Sequence, residues 1–244
     1  FPIILTTHGE ILHGHDHSLQ IKKGRMIVSD AGCENPEGYC SDITRSVPVG
    51  GKFSSKQKDI YEAVLAAQTL VPSLVAPGVK YSDIHIAAVG RLASALKELG
   101  LMKGNIQDAV AQGAMGMFMP HGLGHMMGLD VHDMENYGEN YVGYDKKNVR
   151  STQFGLASLR LGRELQEGFV LTNEPGCYFI PELIDRWRAE GKCKDFINYD
   201  KVEQFKDFGG IRIEDDLLVT KDGCRLLGKY IPKTVEEIES QMAL

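Results

Sequence analysis

The chain has 244 residues, of which 43% are hydrophobic, and a formal net charge of -6 at pH 7. This length and composition allow a substantial buried core and exclude a disordered protein. The basic residues are dispersed along the chain, so we expect no nucleic acid partner. Since the sequence has no apolar run of about 18 residues and its five cysteines form an odd set, we expect a cytoplasmic protein with reduced thiols and no membrane partner.

The first fifty residues carry short runs typical of β-strands. Such runs occupy residues 3–7 and 26–28, and Gly, Asn and Pro residues interrupt them. The segment Asn35-Pro36-Glu37-Gly38 is the clearest hairpin turn in the chain. The pattern predicts antiparallel strands in this region.

Two helices follow this strand region. Ser54 and Gln57 have the spacing of a capping box and open a helical pattern that we expect to end or kink near Pro72. A second helical pattern begins with Ser82 as the predicted N-cap and stops at Gly100.

The strand pattern returns after residue 165. It covers residues 169–172 and 211–220, and a polar, charged stretch at 183–207 separates the two. The chain shows no internal repeat with a period of 20 to 50 residues. Helices alternating with antiparallel strands predict an α+β fold.

Three histidines in a glycine-rich segment point to a functional site. His121, His125 and His132 lie within twelve residues that include three glycines. Glycine lets a backbone approach a ligand closely, whereas a single histidine on an apolar face is more often a core residue. The pair His121 and His125 has the spacing of a zincin, but Gly122 stands where that motif needs glutamate. A zincin site is therefore excluded.

Four acidic residues complete this candidate site. Asp30 ends one predicted strand and Asp42 precedes the next, so a hairpin brings their carboxylates together. Glu174 shares a strand face with Thr172 two positions before it, and period-two alternation also favours Glu174 pointing away from its apolar neighbours. Taken singly, Asp30 and Glu174 also fit the commoner role of acids in turns or loops.

The fourth acid lies in the last predicted strand. Arg212 and Glu214 are two residues apart, so the same alternation places both on one strand face. A solvated strand face is the competing interpretation of Glu214.

The donor set predicts two divalent metal ions. Four carboxylates in one pocket repel one another, and two divalent ions balance their charge. An imidazole among carboxylates favours Mn, Co, Zn or Fe(II) over Mg or Ca. The predicted ligands are Asp30, Asp42, His125, Glu174 and Glu214.

The order and spelling of these residues resemble a known family. The order Asp, Asp, His, Glu, Glu is that of the M24 "pita-bread" metallopeptidases, which include methionine aminopeptidase, aminopeptidase P and prolidase. The segments at 121–133 and 209–216 look like the proline-directed branch, which disfavours methionine aminopeptidase. The resemblance covers nearly the whole chain and implies a curved antiparallel sheet covered by helices.

Within that branch, three segments resemble eukaryotic-type prolidases, which cleave Xaa-Pro dipeptides. They are residues 156–161, 177–208 and 232–239. The resemblance implies that Arg160 binds the free carboxylate of the substrate proline, and a guanidinium fork suits that task. A surface arginine is the competing interpretation. The alternatives for the chain are an aminopeptidase P acting on longer Xaa-Pro peptides and a non-catalytic binding module, although such modules typically lose metal ligands.

The resemblance also implies a mechanism. Two metal ions, for which we expect Mn with Co or Zn as alternatives, hold a bridging hydroxide that attacks the Xaa-Pro bond. Glu174 acts as both ligand and general base, and His132 steadies the oxyanion. His13 contacts the substrate near the scissile bond, with His15 and His17 as weaker candidates for that position.

Two further side chains receive roles from the resemblance. His121 is expected to face the substrate or support the ligands. Arg212 is expected to orient Glu214 or to hold substrate.

The sequence departs from the family in two respects. Asp30 and Asp42 are twelve residues apart, one more than usual, and we expect the extra residue in the turn around Pro36 rather than a shifted strand register. The chain begins with Phe1 rather than Met, so we expect residues 1–244 to be one catalytic domain of a longer protein that forms a homodimer.

Overall fold

The computed structural model describes residues 1–243. Strands within that range are β1 Ile4–Thr6, β2 Met26–Ala31, β3 Ile43–Pro48, β4 Val170–Asn173, β5 Gly176–Tyr178, β6 Gly210–Arg212, β7 Asp215–Thr220 and β8 Gly223–Leu226. Its α-helices are α1 Ser55–Leu70, α2 Tyr81–Glu98, α3 Ile106–Ala111, α4 Glu139–Val142, α5 Pro181–Glu190, α6 Tyr199–Val202 and α7 Val235–Gln241. The strands form antiparallel sheets of order β1-β2-β3, β4-β7-β8 and β5-β6. The predicted α+β class is confirmed.

The β2–β3 hairpin confirms the predicted turn. The Gly38 amide donates to the Asn35 carbonyl oxygen at 2.9 Å. Pairing between the strands is regular from Met26 opposite Pro48 to Ala31 opposite Ile43. The ladder contains no bulge, so the longer spacing of the two aspartates lies in the loop at 32–42 and leaves the strand register intact.

The single strand predicted at 211–220 is wrong. The chain forms β6, leaves the sheet at Ile213 and Glu214, and then forms β7. The Ile213 amide donates to the Pro175 carbonyl at 3.3 Å, and the Glu214 amide donates to the Thr44 carbonyl at 3.0 Å. Between these bonds the chain passes from the β5-β6 sheet to the β4-β7-β8 sheet and contacts β3 on the way, which period-two alternation cannot reveal. Arg212 and Glu214 therefore do not lie in one strand, although the side chains of both bond to the Thr44 hydroxyl.

The first two helices pack against each other beside these sheets. Ser54 caps α1 with the predicted capping box, and α1 ends at Leu70, before Pro72. Helix α2 begins at Tyr81 rather than after Ser82, and no side chain caps it. Tyr81 is fully buried and its hydroxyl donates to the Thr172 carbonyl at 2.6 Å, so a tertiary contact fixes where the helix begins.

The polar stretch at 183–207 contains α5 and α6. In α5 the residues Leu183, Ile184 and Trp187 lie on one face and are buried, while the charged residues face solvent. The ring of Phe179 stacks on Phe205 with centroids 4.7 Å apart, which fastens this segment to the core. None of the helices formed by residues 1–243 has the length and apolar character that crossing a membrane requires.

Candidate metal centre and substrate cavity

One cavity of about 270 Å³ collects all the metal ligands predicted from the sequence. The side chains that line it include Asp30, Asp42, His125, Glu174, Glu214, His13, His121, His132, Arg160 and Arg212. The sequence separates the first and last of these ligands by 184 residues. The fold therefore brings together the β2–β3 hairpin, the glycine-rich loop that carries His125, and the β4-β7-β8 and β5-β6 sheets.

Each ligand sits at the end of a strand or beside one. Asp30 lies near the end of β2, and Asp42 directly precedes β3. Glu174 follows β4, and Glu214 occupies the gap between β6 and β7. Asp42, Glu174 and Glu214 thus lie just outside strands, whereas Asp30 is paired in the ladder with Ile4 and Thr44.

His125 reaches the acids because its loop lies against β4. Its amide donates to the Thr172 hydroxyl at 3.1 Å, and its carbonyl accepts the Thr172 amide at 3.0 Å. A β-carbon on Gly124 would lie 2.1 Å from the Thr172 carbonyl oxygen, so only glycine permits this approach. The glycine pattern of this loop thus serves close packing next to a ligand.

Three of the ligands already form a compact cluster. One ligand atom each from Asp42, His125 and Glu214 lies within 4.8 Å of the others. The His125 Nε2 atom is 3.5 Å from Asp42 Oδ2 and 3.7 Å from Glu174 Oε1. The His125 Nδ1 atom is 2.9 Å from the Met126 carbonyl oxygen, so a neutral ring donates there and directs Nε2 to the acids.

Burial makes this collection of acids hard to ionise. It raises the pKa of Glu174 to about 7 and the pKa of Glu214 well above its usual range, and the neighbouring carboxylates add to the shift of Glu214. Burial raises the pKa of Asp30 to about 6, although Arg212 opposes that shift. Full ionisation of these carboxylates therefore requires positive charge in addition to that of Arg212.

The same groups fit divalent cations. Asp30 Oδ1 and Asp42 Oδ1 are buried without a hydrogen-bond partner among the residues that the structure describes. Buried polar atoms without partners are rare and call for an ion, water or functional role. Carboxylate oxygens and one imidazole nitrogen are donors that Mn, Co and Zn accept.

Arg212 has a different partner from the one that the sequence indicated. Its Nη2 atom donates to Asp30 Oδ2 at 2.6 Å, and its Nε atom donates to the Thr44 hydroxyl at 3.2 Å. The Thr44 hydroxyl in turn donates to Glu214 Oε2 at 2.7 Å. Arg212 thus orients Asp30 directly and reaches Glu214 only through Thr44.

His121 and Tyr178 form a second polar link at the cavity wall. The His121 Nε2 atom is 2.9 Å from the Tyr178 hydroxyl, which also accepts a hydrogen bond from Arg212 Nη1 at 3.0 Å. His121 Nδ1 lies 3.9 Å from Glu174 Oε2. Burial lowers the pKa of His121 to about 3, so the ring is neutral at pH 7.

His132 and His13 complete the histidine wall. The rings of His125 and His132 meet edge to face with centroids 4.4 Å apart. Burial lowers the pKa of both His132 and His13, and nearby cations add to the effect. His15 lines an adjoining cavity that it shares with His13, whereas His17 lines a separate pocket and lies outside this site.

Arg160 lines the cavity, but protein acids already hold part of its guanidinium. Its Nη1 atom donates to Glu135 Oε2 at 2.5 Å and to Glu139 Oε1 at 2.7 Å. Glu139 also pairs with Arg150. The predicted role of Arg160 in binding a carboxylate thus stays a prediction, and its Nη1 atom already has two protein partners.

Comparison with known proteins identifies the family of this chain. The profile of Peptidase M24, metallopeptidase family M24, matches residues 1–221. The chain belongs to metallopeptidase family M24. It is 43% identical to the Xaa-Pro dipeptidase of Homo sapiens over 233 residues, which cover 94% of this chain and 45% of that protein. A probable Xaa-Pro aminopeptidase of Aspergillus clavatus is 39% identical over 222 residues, 91% of this chain and 45% of that protein.

Solved structures of other M24 proteins share the fold. A zinc-substituted Escherichia coli aminopeptidase P in complex with product has a TM-score of 0.77 and 34% identity, and the match covers 100% of this chain and 47% of that one. The predicted pita-bread fold is confirmed by this likeness. The chain spans about half the length of the curated relatives that it matches.

Four residues of this M24 site escaped the sequence reasoning. Tyr178 and Thr44 link the ligands to Arg212, and Glu135 and Glu139 hold Arg160. Thr44 had a usable signal, because it stands two residues after Asp42 and alternation places both on one face. The other three contacts join segments far apart in sequence or lie in short helices without a strong periodicity.

Proposed function

We propose that this chain hydrolyses the Xaa-Pro bond of dipeptides with the help of two divalent metal ions. The observation that carries the proposal is the convergence of three buried carboxylates, the half-buried Glu174 and His125 on a cavity that Arg160 also lines. The Xaa-Pro dipeptidase relatives support the same reaction.

The metal ligands in this proposal are the five residues named from the sequence. Asp42, His125 and Glu214 form the compact part of the site, and Asp30 and Glu174 lie beside them. When bound, the two ions supply an acidified water as the nucleophile and balance the charge of the carboxylates. We propose Mn as the physiological metal, with Co and Zn as alternatives.

The chain's own residues then position the substrate and move a proton. Glu174 accepts the proton of the attacking water, since its carboxylate lines the cavity and lies 3.7 Å from His125 Nε2. His132, His121 and His13 face the scissile bond from the cavity wall, and His132 stabilises the developing oxyanion as a neutral donor. Arg212 holds Asp30 in place and is less suited to substrate, because its donors already have partners.

Arg160 sets the length of the substrate in this proposal. A proline carboxylate that pairs with the guanidinium has no room for a further residue, so longer peptides are rejected. The alternative is an aminopeptidase P activity on longer Xaa-Pro peptides, since the structural relatives are named aminopeptidase P. We further propose one catalytic unit over residues 1–244, a cytoplasmic location and a homodimer.

The test of the proposed substrate compares Arg160→Ala and Arg160→Lys with the unaltered chain on Gly-Pro and Gly-Pro-Ala. We expect Arg160→Ala to raise KM for Gly-Pro by about 10- to 100-fold, because a charge-assisted hydrogen bond to a carboxylate is lost. Lysine restores the charge without the fork and should recover only part of the affinity. The exposed Arg186→Ala serves as control.

Metal content separates the substrate role of Arg160 from a structural role. We expect the Arg160 variants to retain two ions per chain by elemental analysis. Loss of metal together with activity would show that Arg160 supports the fold of the site. It would contradict the proposal that Arg160 limits the length of the substrate.

A further inference from the structure

The guanidinium of Arg160 is bound asymmetrically by the protein. Both of its hydrogen bonds to acids start from Nη1, at 2.5 Å to Glu135 and 2.7 Å to Glu139. Among the described residues no acceptor bonds to its Nε or Nη2 atom. The edge formed by Nε and Nη2 is therefore the one that remains for a second carboxylate, and Arg160 lines the cavity.

Glu135 contacts two residues of the cavity wall with the same oxygen atom. Its Oε2 atom bonds to Arg160 and lies 3.7 Å from His132 Nδ1. The Glu135 side chain is only 12% exposed, compared with 42% for the His132 side chain. A largely buried carboxylate thus stands between the proposed carboxylate-binding arginine and the proposed oxyanion histidine.

The backbone before Glu135 has an uncommon conformation that brings these groups together. Met134 has a φ of 58°, a left-handed conformation that residues other than glycine rarely adopt. The Glu135 amide donates to the His132 carbonyl across this residue at 3.3 Å. Strained backbone of this kind persists where the surrounding structure requires it, often at functional sites.

The segments that carry the acids and Arg160 are also fastened to each other. The Gly143 carbonyl at the end of α4 accepts the amides of Gly162 and Arg163 at 2.8 and 2.9 Å. A β-carbon on Gly143 would lie 1.7 Å from the Arg160 carbonyl oxygen. The ion pairs therefore join two rigidly packed segments, unlike mobile surface pairs.

We propose that Glu135 is a positioning residue that fixes Arg160 relative to His132 for substrates that end in a free proline carboxylate. By holding Nη1, it turns the Nε and Nη2 edge toward the cavity. The scissile carbonyl and the carboxylate of a dipeptide are one proline apart, so the spacing of His132 and Arg160 selects that substrate. This inference rests on the proposed function of the site.

The experiment measures binding of L-proline and L-prolinamide to the metal-loaded chain by calorimetry, together with Gly-Pro hydrolysis. Glu135→Ala is expected to weaken proline binding and to raise KM for Gly-Pro by about tenfold, because Arg160 loses its orientation. Prolinamide binding and kcat should change less than twofold. Glu135→Gln should restore part of the affinity, since its amide oxygen still accepts from Nη1.

Controls separate positioning from folding and from competition. Asn140→Ala, an exposed change in α4, should leave every value unchanged. Tighter proline binding by Glu135→Ala would overturn the inference, because it would show that Glu135 competes with the substrate for Arg160. Equal weakening for proline and prolinamide, or failure of the unaltered chain to bind proline, would overturn it as well.

The two proposals fail in different ways. If the unaltered chain binds proline in a manner that depends on Glu135 but does not cleave Gly-Pro, the inference stands and the proposed function fails. If it cleaves Gly-Pro and Glu135→Ala changes nothing, the inference alone is contradicted.

Discussion

Arg212 shows how a single buried charge organises this site. Its side chain is almost completely buried and bonds to Asp30, Thr44 and Tyr178. A buried cation needs such partners, because an unpaired charge in the interior is costly. The sequence identified Arg212 as a site residue but assigned it to Glu214, since alternation reports faces within a strand and not contacts between strands.

His85 gives a prediction for the pH dependence of stability. It is buried in α2, its Nδ1 atom has no partner among residues 1–243, and burial lowers its pKa from 6.5 to about 4. Between these pH values the unfolded chain binds a proton that the folded chain rejects, so stability falls as the pH falls through that window. We expect a loss of about 2 to 3 kcal/mol between pH 7.5 and pH 4.5 from this residue.

The measurement compares urea unfolding of the unaltered chain and His85→Leu at both pH values. On acidification, the free energy of unfolding of His85→Leu should fall by about 2 to 3 kcal/mol less than that of the unaltered chain. The exposed His17→Asn should behave as the unaltered chain. An equal loss in His85→Leu would show that His85 does not contribute to the acid sensitivity.

At the level of elements, local signals predicted turns and caps better than strand ends. The turn at 35–38 and the cap at Ser54 follow from residue chemistry within four positions, and both are confirmed. The break between β6 and β7 and the first residue of α2 depend on bonds to Thr44 and Thr172 from other elements. Propensity carries no information about such partners, so these two boundaries could not be predicted.

Variants at the two helix starts test whether a local cap fixes the beginning of α1 but not that of α2. Ser54→Ala removes the hydroxyl that accepts the Gln57 amide and should lower the free energy of unfolding by about 1 kcal/mol. Ser82→Ala lies inside α2 and should change it by less than about 0.5 kcal/mol. Chemical denaturation measures both, and a larger loss at Ser82 would contradict the observed start of α2.

The glycine loop provides a second test at this scale. Gly124→Ala places a β-carbon against the Thr172 carbonyl and should cost about 1 to 3 kcal/mol by overpacking, while moving His125 away from the acids. Gly90→Ala in α2 meets open space and should stabilise the chain slightly. Thermal unfolding and metal content check both variants. Full metal content in Gly124→Ala would contradict the conclusion that the close approach of Gly124 to Thr172 positions His125.

For the whole molecule, the sequence predicted the composition of the site better than its connections. The five predicted ligands line one cavity. They could be predicted because the order Asp, Asp, His, Glu, Glu resembles the family to which the chain belongs. The contacts of Arg160 with Glu135 and Glu139 were not predicted, because they depend on how two loops pack. Residue identity thus indicated the residues of the site, whereas the contacts of Arg160 depend on packing between distant segments.

The most direct test of the proposed activity measures glycine release from Gly-Pro and Gly-Pro-Ala by the metal-stripped chain, with and without added Mn. We expect release that depends on Mn and is confined to the dipeptide, with two ions bound per chain. Cleavage of Gly-Pro-Ala at an equal or higher rate would replace the dipeptidase proposal with an aminopeptidase. Two bound ions without cleavage of either peptide would contradict the proposal that this chain is catalytic by itself.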